Sequence, residues 1–164
     1  VHFEFDADRS YCEDLLCCDG EGISQYAELF DFRSPLKKRH EFQALYSRHL
    51  SRLLARFGER CMLHIAPDCN VDSGLEIDHV IPLSSNALNK RLRSGATSRS
   101  PDGRLKKVPT QSFGSNHPHN LVLACHNCNS LKKNAFPDGV ILRRVLREIK
   151  DAYQRAGRHG DAAP

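Results

Sequence analysis

Cys125-His126-Asn127-Cys128 is the feature that most constrains how this chain can fold. Two cysteines separated by two residues can grip one metal ion from a tight turn, and such a pair needs further ligands from elsewhere in the chain. The chain holds 7 cysteines, an odd number. Its first residues show no basic region followed by an apolar one, so no secretory leader is expected. Together these favour a reduced, cytoplasmic setting with metal-bound thiolates over a disulfide framework. Cys12, Cys17 and Cys18 sit in an acidic, turn-prone stretch without consistent ligand spacing and read as thiols.

Periodicity around this turn predicts an α+β fold. Residues 75–81 read as a strand in which Asp78 and His79 are flanked by Leu75, Ile77, Val80 and Ile81, and Pro82 stops the ladder. Residues 120–125 read as a second strand, and residues 128–134 open a helix. Ser34-Pro35 reads as the cap and first residue of a long helix to Phe57, closed by Gly58. Its apolar positions are Leu36, Phe42, Leu45, Tyr46, His49, Leu50, Leu53, Leu54 and Phe57, with Lys37, Lys38, Arg39, Arg48, Arg52 and Arg56 on the other faces. Asp138-Gly139 starts a final helix to about residue 156. Its expected buried stripe is Val140, Ile141, Val145, Leu146, Ile149 and Tyr153, with Arg143, Arg144, Arg147 and Lys150 exposed. Ser24 is expected to cap a short helix through Phe30. Residues 1–23 show little periodicity beyond a possible short strand at Val1–Phe5. The expected organisation is an N-terminal segment with an amphipathic helix over 1–58, a domain over 59–157 with an insertion at 84–118, and a tail at 158–164.

The formal net charge of +4 hides an asymmetry. Residues 1–31 carry nine acids against Arg9 alone, and the rest of the chain carries 23 bases against 11 acids. A basic body suits a polyanionic partner. No apolar run of about 18 residues is present, so no membrane span is expected. The insertion concentrates Lys90, Arg91, Arg93, Arg99, Arg104, Lys106 and Lys107 against Asp102, in a Ser/Gly/Pro-rich loop of a length that is usually functional or disordered.

The runs Leu-Glu-Ile-Asp-His-Val-Ile-Pro at 75–82 and Asn-Leu-Val-Leu-Ala-Cys-x-x-Cys-Asn-x-x-Lys at 120–132 resemble the HNH nucleases, the ββα-metal or His-Me finger group, in their zinc-knuckle form. The resemblance covers residues 61–135. It implies a ββα-metal core with flanking helices and a metal-dependent endonuclease acting on DNA, in a restriction, phage or mobile-element setting. It also implies that His79 is the general base, that Asn120 helps to orient it, and that Asp78 and Asn129 hold the catalytic ion. An Asp/Asn oxygen pair suits Mg²⁺ or Mn²⁺. A structural Zn²⁺ would be held by Cys61, Cys125 and Cys128 with Cys69 as the preferred fourth ligand. His64 is the alternative, since Cys61-Met62-Leu63-His64 keeps a two-residue gap. Lys90, Arg91, Arg93, Arg104, Lys106, Lys107, Lys132 and Lys133 are the candidate nucleic-acid contacts. One such centre cuts one strand per event, so a double-strand cut implies a homodimer or two encounters. The alternatives are a zinc-stabilised nucleic-acid-binding module without catalysis and a toxin nuclease domain.

Overall fold

The computed structural model describes residues 1–3, 5–16, 22–85 and 111–160, with side chains to residue 156. Lys90, Arg91, Arg93, Arg104, Lys106 and Lys107 lie outside the described residues, as do Cys17 and Cys18. Helices and short antiparallel strands alternate as α1 (Asp6–Leu16), a 3₁₀ helix (Ile23–Leu29), α2 (Pro35–Phe57), β1 (Leu75–His79), β2 (Ser84–Ser85), β3 (Gln111–Ser112), a 3₁₀ turn (Pro118–Asn120), β4 (Leu121–Cys125), α3 (His126–Lys132) and α4 (Gly139–Gly160). The architecture is α+β. No described helix is long and apolar enough to cross a membrane.

The centre is the antiparallel pair β1–β4, in which Leu75 faces Cys125 at one end and His79 faces Leu121 at the other. Side chains alternate along a strand, and β1 obeys this. Glu76 and Asp78 reach α3, whereas His79 meets Phe42 of α2. All five residues of β4 are buried, because α2, α3 and β1 all pack against it. That explains its unbroken apolar run. A strand covered on both faces has no reason to alternate, and each fully buried Leu contributes about 1.5–3 kcal/mol.

The chain beyond β1 closes on itself through β2 and β3, which pair antiparallel and bring the two ends of the 86–110 segment together. Gly114 is required at this closure. A Cβ there would lie 2.0 Å from the carbonyl oxygen of Ile81, and the Gly114 N–H donates to Pro82 O at 2.8 Å.

Several sequence expectations are corrected. An α-helix occupies Asp6–Leu16, where little periodicity was expected; it packs on α4, and its buried positions Asp8, Cys12 and Leu16 fall at helical four-residue spacing. No strand forms among the described residues of Val1–Phe5. The short helix begins after Gly22 rather than with a Ser24 cap. In α4, Val140 is 72% exposed, and Leu142 and Ala152 join the buried stripe in its place. Asp138 caps this helix by accepting the N–H groups of Val140 and Ile141 at 2.9 and 3.0 Å.

The largest correction concerns Lys38. It was expected on a solvent face of α2, yet it is 0% exposed. Its ammonium donates to the carbonyls of Asp31, Gly114 and Leu83 at 2.5, 2.6 and 3.1 Å. Residue 38 extends the stripe of Phe42, His49, Leu53 and Phe57, whereas Leu36 and Leu45 turn outward. Burial lowers the Lys38 pKa to about 8, opposed by the nearby Asp31 charge.

Candidate metal centre and reaction site

At the Leu75/Cys125 end of the hairpin, the sulfurs of Cys61, Cys69, Cys125 and Cys128 lie within 4.8 Å of one another. Cys125 ends β4 and serves as the N-cap residue of α3, its Sγ accepting the Cys128 N–H at 3.5 Å. Cys61 precedes Met62, whose N–H pairs with Leu123 O at 2.7 Å along β4. The loop from Met62 to Asp68 wraps the cluster, and the N–H groups of Ile65 and Ala66 each donate to Cys128 Sγ at 3.3 Å. Asn127 fastens that loop to α3 through Asp68 Oδ2 at 2.9 Å, and Arg144 fastens it to α4 through Leu63 O at 2.7 Å.

These residues fit a single metal ion. The Cys69 and Cys125 sulfurs are 3.8 Å apart, far beyond a disulfide bond of about 2.05 Å. A Zn–S bond of about 2.3 Å in a tetrahedron separates its sulfurs by about 3.8 Å. Four adjacent thiols cannot ionise together without a cation. Burial and the neighbouring thiols push Cys69 up, and burial pushes Cys128 up as well. Burial also opposes ionisation of Cys125, but the N–H of Cys128 and the adjacent thiols outweigh it and bring that pKa to about 7. Cys69 closes the set. His64 stands beside it, with Nδ1 3.3 Å from Cys69 Sγ.

At the other end of the hairpin, His79 is 8% exposed beneath Phe42, with ring centroids 4.7 Å apart. Its Nε2 lies 2.9 Å from Asn116 Oδ1. The Asn116 amide nitrogen donates to Lys38 O at 2.8 Å, which fixes the orientation of the carboxamide. Asn116 therefore presents an acceptor, His79 carries its proton on Nε2, and Nδ1 keeps the lone pair. Burial lowers the His79 pKa to about 4; the Asn116 bond opposes this, and the Lys132 and Lys38 charges add to it. The ring is neutral at neutral pH.

Asp78 points the other way. Its buried Oδ2 forms an ion pair with the Lys132 ammonium at 2.8 Å. Burial raises the Asp78 pKa, against the pull of Lys132. Lys132 also donates to His79 O at 2.8 Å. Asn129 gives its amide nitrogen to Glu76 Oε2, and His126 Nδ1 meets Glu76 Oε1 at 3.0 Å.

Two expected roles change. Asn120 does not touch the His79 ring. Its carboxamide accepts the Ile81 N–H at 2.7 Å and donates to Ile81 O at 3.0 Å and Ser115 O at 2.8 Å. It acts as an extra peptide group for a strand that Pro82 is about to end. Lys132, expected at a substrate phosphate, is buried against Asp78, while Lys133 remains exposed. Asn116 was not foreseen. It sits in Ser115-Asn116-His117-Pro118, where turn residues carry no periodic signal. Lys132 was legible in one respect, standing three residues after Asn129 and so on the same helix face.

No protein-family model, no curated protein and no solved structure matches this chain. The functional reading therefore rests on the residues themselves.

Proposed function

We propose that this protein is a metal-dependent endonuclease that hydrolyses phosphodiester bonds in DNA, with β1, β4 and α3 forming a ββα-metal core. The observation that carries this reading is His79. It is neutral, its Nε2–H is committed to Asn116, and it adjoins a buried carboxylate on the same strand. A neutral imidazole with one nitrogen engaged and the other free suits a general base. His79 takes the proton of the attacking water at Nδ1, and Asn116 and Phe42 hold the ring in place. Asn120 supports this indirectly by fastening the backbone at Ile81, two residues on.

Asp78 and Asn129 would hold the divalent cation. The Asp78 carboxylate, paired here with Lys132, and the Asn129 oxygen left over from its bond to Glu76 are hard donors suited to Mg²⁺ or Mn²⁺. When bound, such an ion neutralises charge on the phosphate and on the leaving oxygen. The four cysteines would hold a structural Zn²⁺. Lys133 and the basic residues of the insertion are the proposed DNA contacts, and a double-strand cut calls for a homodimer or two encounters.

The test is cleavage of supercoiled plasmid by the protein and by His79→Ala, each with Mg²⁺, Mn²⁺ or a chelator. The variant should lose activity by about 10²–10⁴-fold, the usual contribution of a general base, with folding and zinc content unchanged. A second reading, a zinc-stabilised nucleic-acid-binding module without catalysis, is favoured by one observation. The Lys132 ammonium already neutralises Asp78. DNA binding without cutting by the wild-type protein under every metal condition would establish that reading instead.

A further inference from the structure

A second feature lies along α2, away from the reaction site. A cleft of about 680 Å³ opens between α2 and α4. Arg52, Arg56 and Arg155 line it together with His49 and Tyr153, and no carboxylate does. Among the described residues, Arg52 and Arg155 have no acidic partner. Arg56 stacks on the Tyr153 ring 3.8 Å from its centroid and donates to Ala152 O at 3.0 Å. Guanidinium held over an aromatic ring is a ready surface for a nucleobase, and unpaired arginines at a cleft edge suit phosphates.

Position selects the ligand. Leu121 also lines the cleft, and it is the residue paired with His79 across the hairpin. Phe42 stacks on His49 at 5.9 Å and meets His79 at 4.7 Å. With a rise of about 1.5 Å per residue, His49 to Arg56 lie about 10–20 Å along α2 from Phe42, a span of a few nucleotides. The volume suits single unpaired nucleotides, not a duplex.

We propose that this cleft binds a single-stranded stretch of the substrate nucleic acid, continuous with the strand at His79. The proposal builds on the nucleic-acid reading above, and its test reads binding rather than cutting. In a non-cutting His79→Ala background, fluorescence anisotropy would follow a labelled 12-nucleotide DNA strand and the same strand in a duplex, with and without Arg52→Gln/Arg155→Gln. Lys37→Gln/Arg9→Gln serves as a control of equal charge, and thermal melts confirm folding. The expected result is about a tenfold loss of single-strand affinity and a log–log salt slope shallower by about 1.4, at about 0.7 per phosphate contact, with duplex affinity changed no more than in the control. Single-strand binding equal to the control overturns the proposal. Equal losses for strand and duplex overturn the single-strand assignment. Adenosine monophosphate bound as tightly as the 12-mer reduces the cleft to a small-anion pocket and overturns it too.

Discussion

The two ends of the β1–β4 hairpin are held by opposite means. At the Cys125 end, four soft ligands converge from two distant parts of the chain, and the surrounding N–H groups point at sulfur. At the His79 end nothing so strong is present. Burial, one ring contact, neutral hydrogen bonds through Asn116, Asn120 and the Lys38 carbonyl, and the Lys132 ammonium on Asp78 and His79 O set the geometry. An end whose four thiols could close on one ion would tolerate little change in its ligands. An end assembled from hydrogen bonds and ring packing holds a buried imidazole instead.

Loss of the thiol cluster should have the largest effect. Stripping the metal with a chelator, or replacing Cys128 with Ser, should abolish cooperative unfolding. Structural zinc sites contribute on the order of 10 kcal/mol to folding. Circular dichroism melts alongside a colorimetric zinc assay would show this, and an unchanged melt after complete metal loss would refute it.

The next effect separates the two asparagines. Asn120→Ala leaves Ile81 N–H, Ile81 O and Ser115 O without partners in the interior, a loss of about 3 kcal/mol. Asn116→Ala should cost only about 1 kcal/mol yet reduce cutting by about tenfold or more by freeing the His79 ring. Denaturant titrations and plasmid assays on both variants check the contrast. Similar stability losses in the two variants would contradict it.

Lys38→Met comes third. It removes the one group that gathers the carbonyls of Asp31, Leu83 and Gly114. A loss of about 2 kcal/mol is expected, below the Asn120 effect because Met replaces some apolar contact. Chemical denaturation measures it.

The smallest effect is in pH. Burial, with Arg52 and Arg48 adding to it, lowers the His49 pKa below its ordinary value. As pH falls below about 6.5, the unfolded chain takes up a proton that folded His49 refuses. The stability present above that pH is then lost. His49→Gln should flatten the acid limb of stability against pH by at most about 1.4 kcal/mol per pH unit. An identical limb in both proteins would remove His49 from the account.

Much of the framework was legible beforehand. Strand β1, helices α2 and α4 and the Cys-x-x-Cys turn follow from local periodicity and spacing, which short-range sterics dictate. Helix α1 was hidden because its buried face contains Asp8 and Cys12 rather than a run of large apolar residues. The cysteine set was readable as a need for two pairs. Its fourth member became definite only when the loop from Met62 to Asp68 folded back and brought Cys69 to the other three.

Local pattern accounts for the two strands, the thiol donors and the adjacency of Asp78 and His79. Strand alternation then required that pair to face opposite ways. Only the tertiary structure decided what each side chain meets. It turned Asn120 to the backbone, placed Asn116 on the imidazole, and buried Lys132 on Asp78 and Lys38 among carbonyls. The physical reason is that polar partners are chosen by convergence in space. A buried lysine or asparagine is stable only where separate segments bring enough acceptors or donors to one point, and no local pattern encodes that meeting.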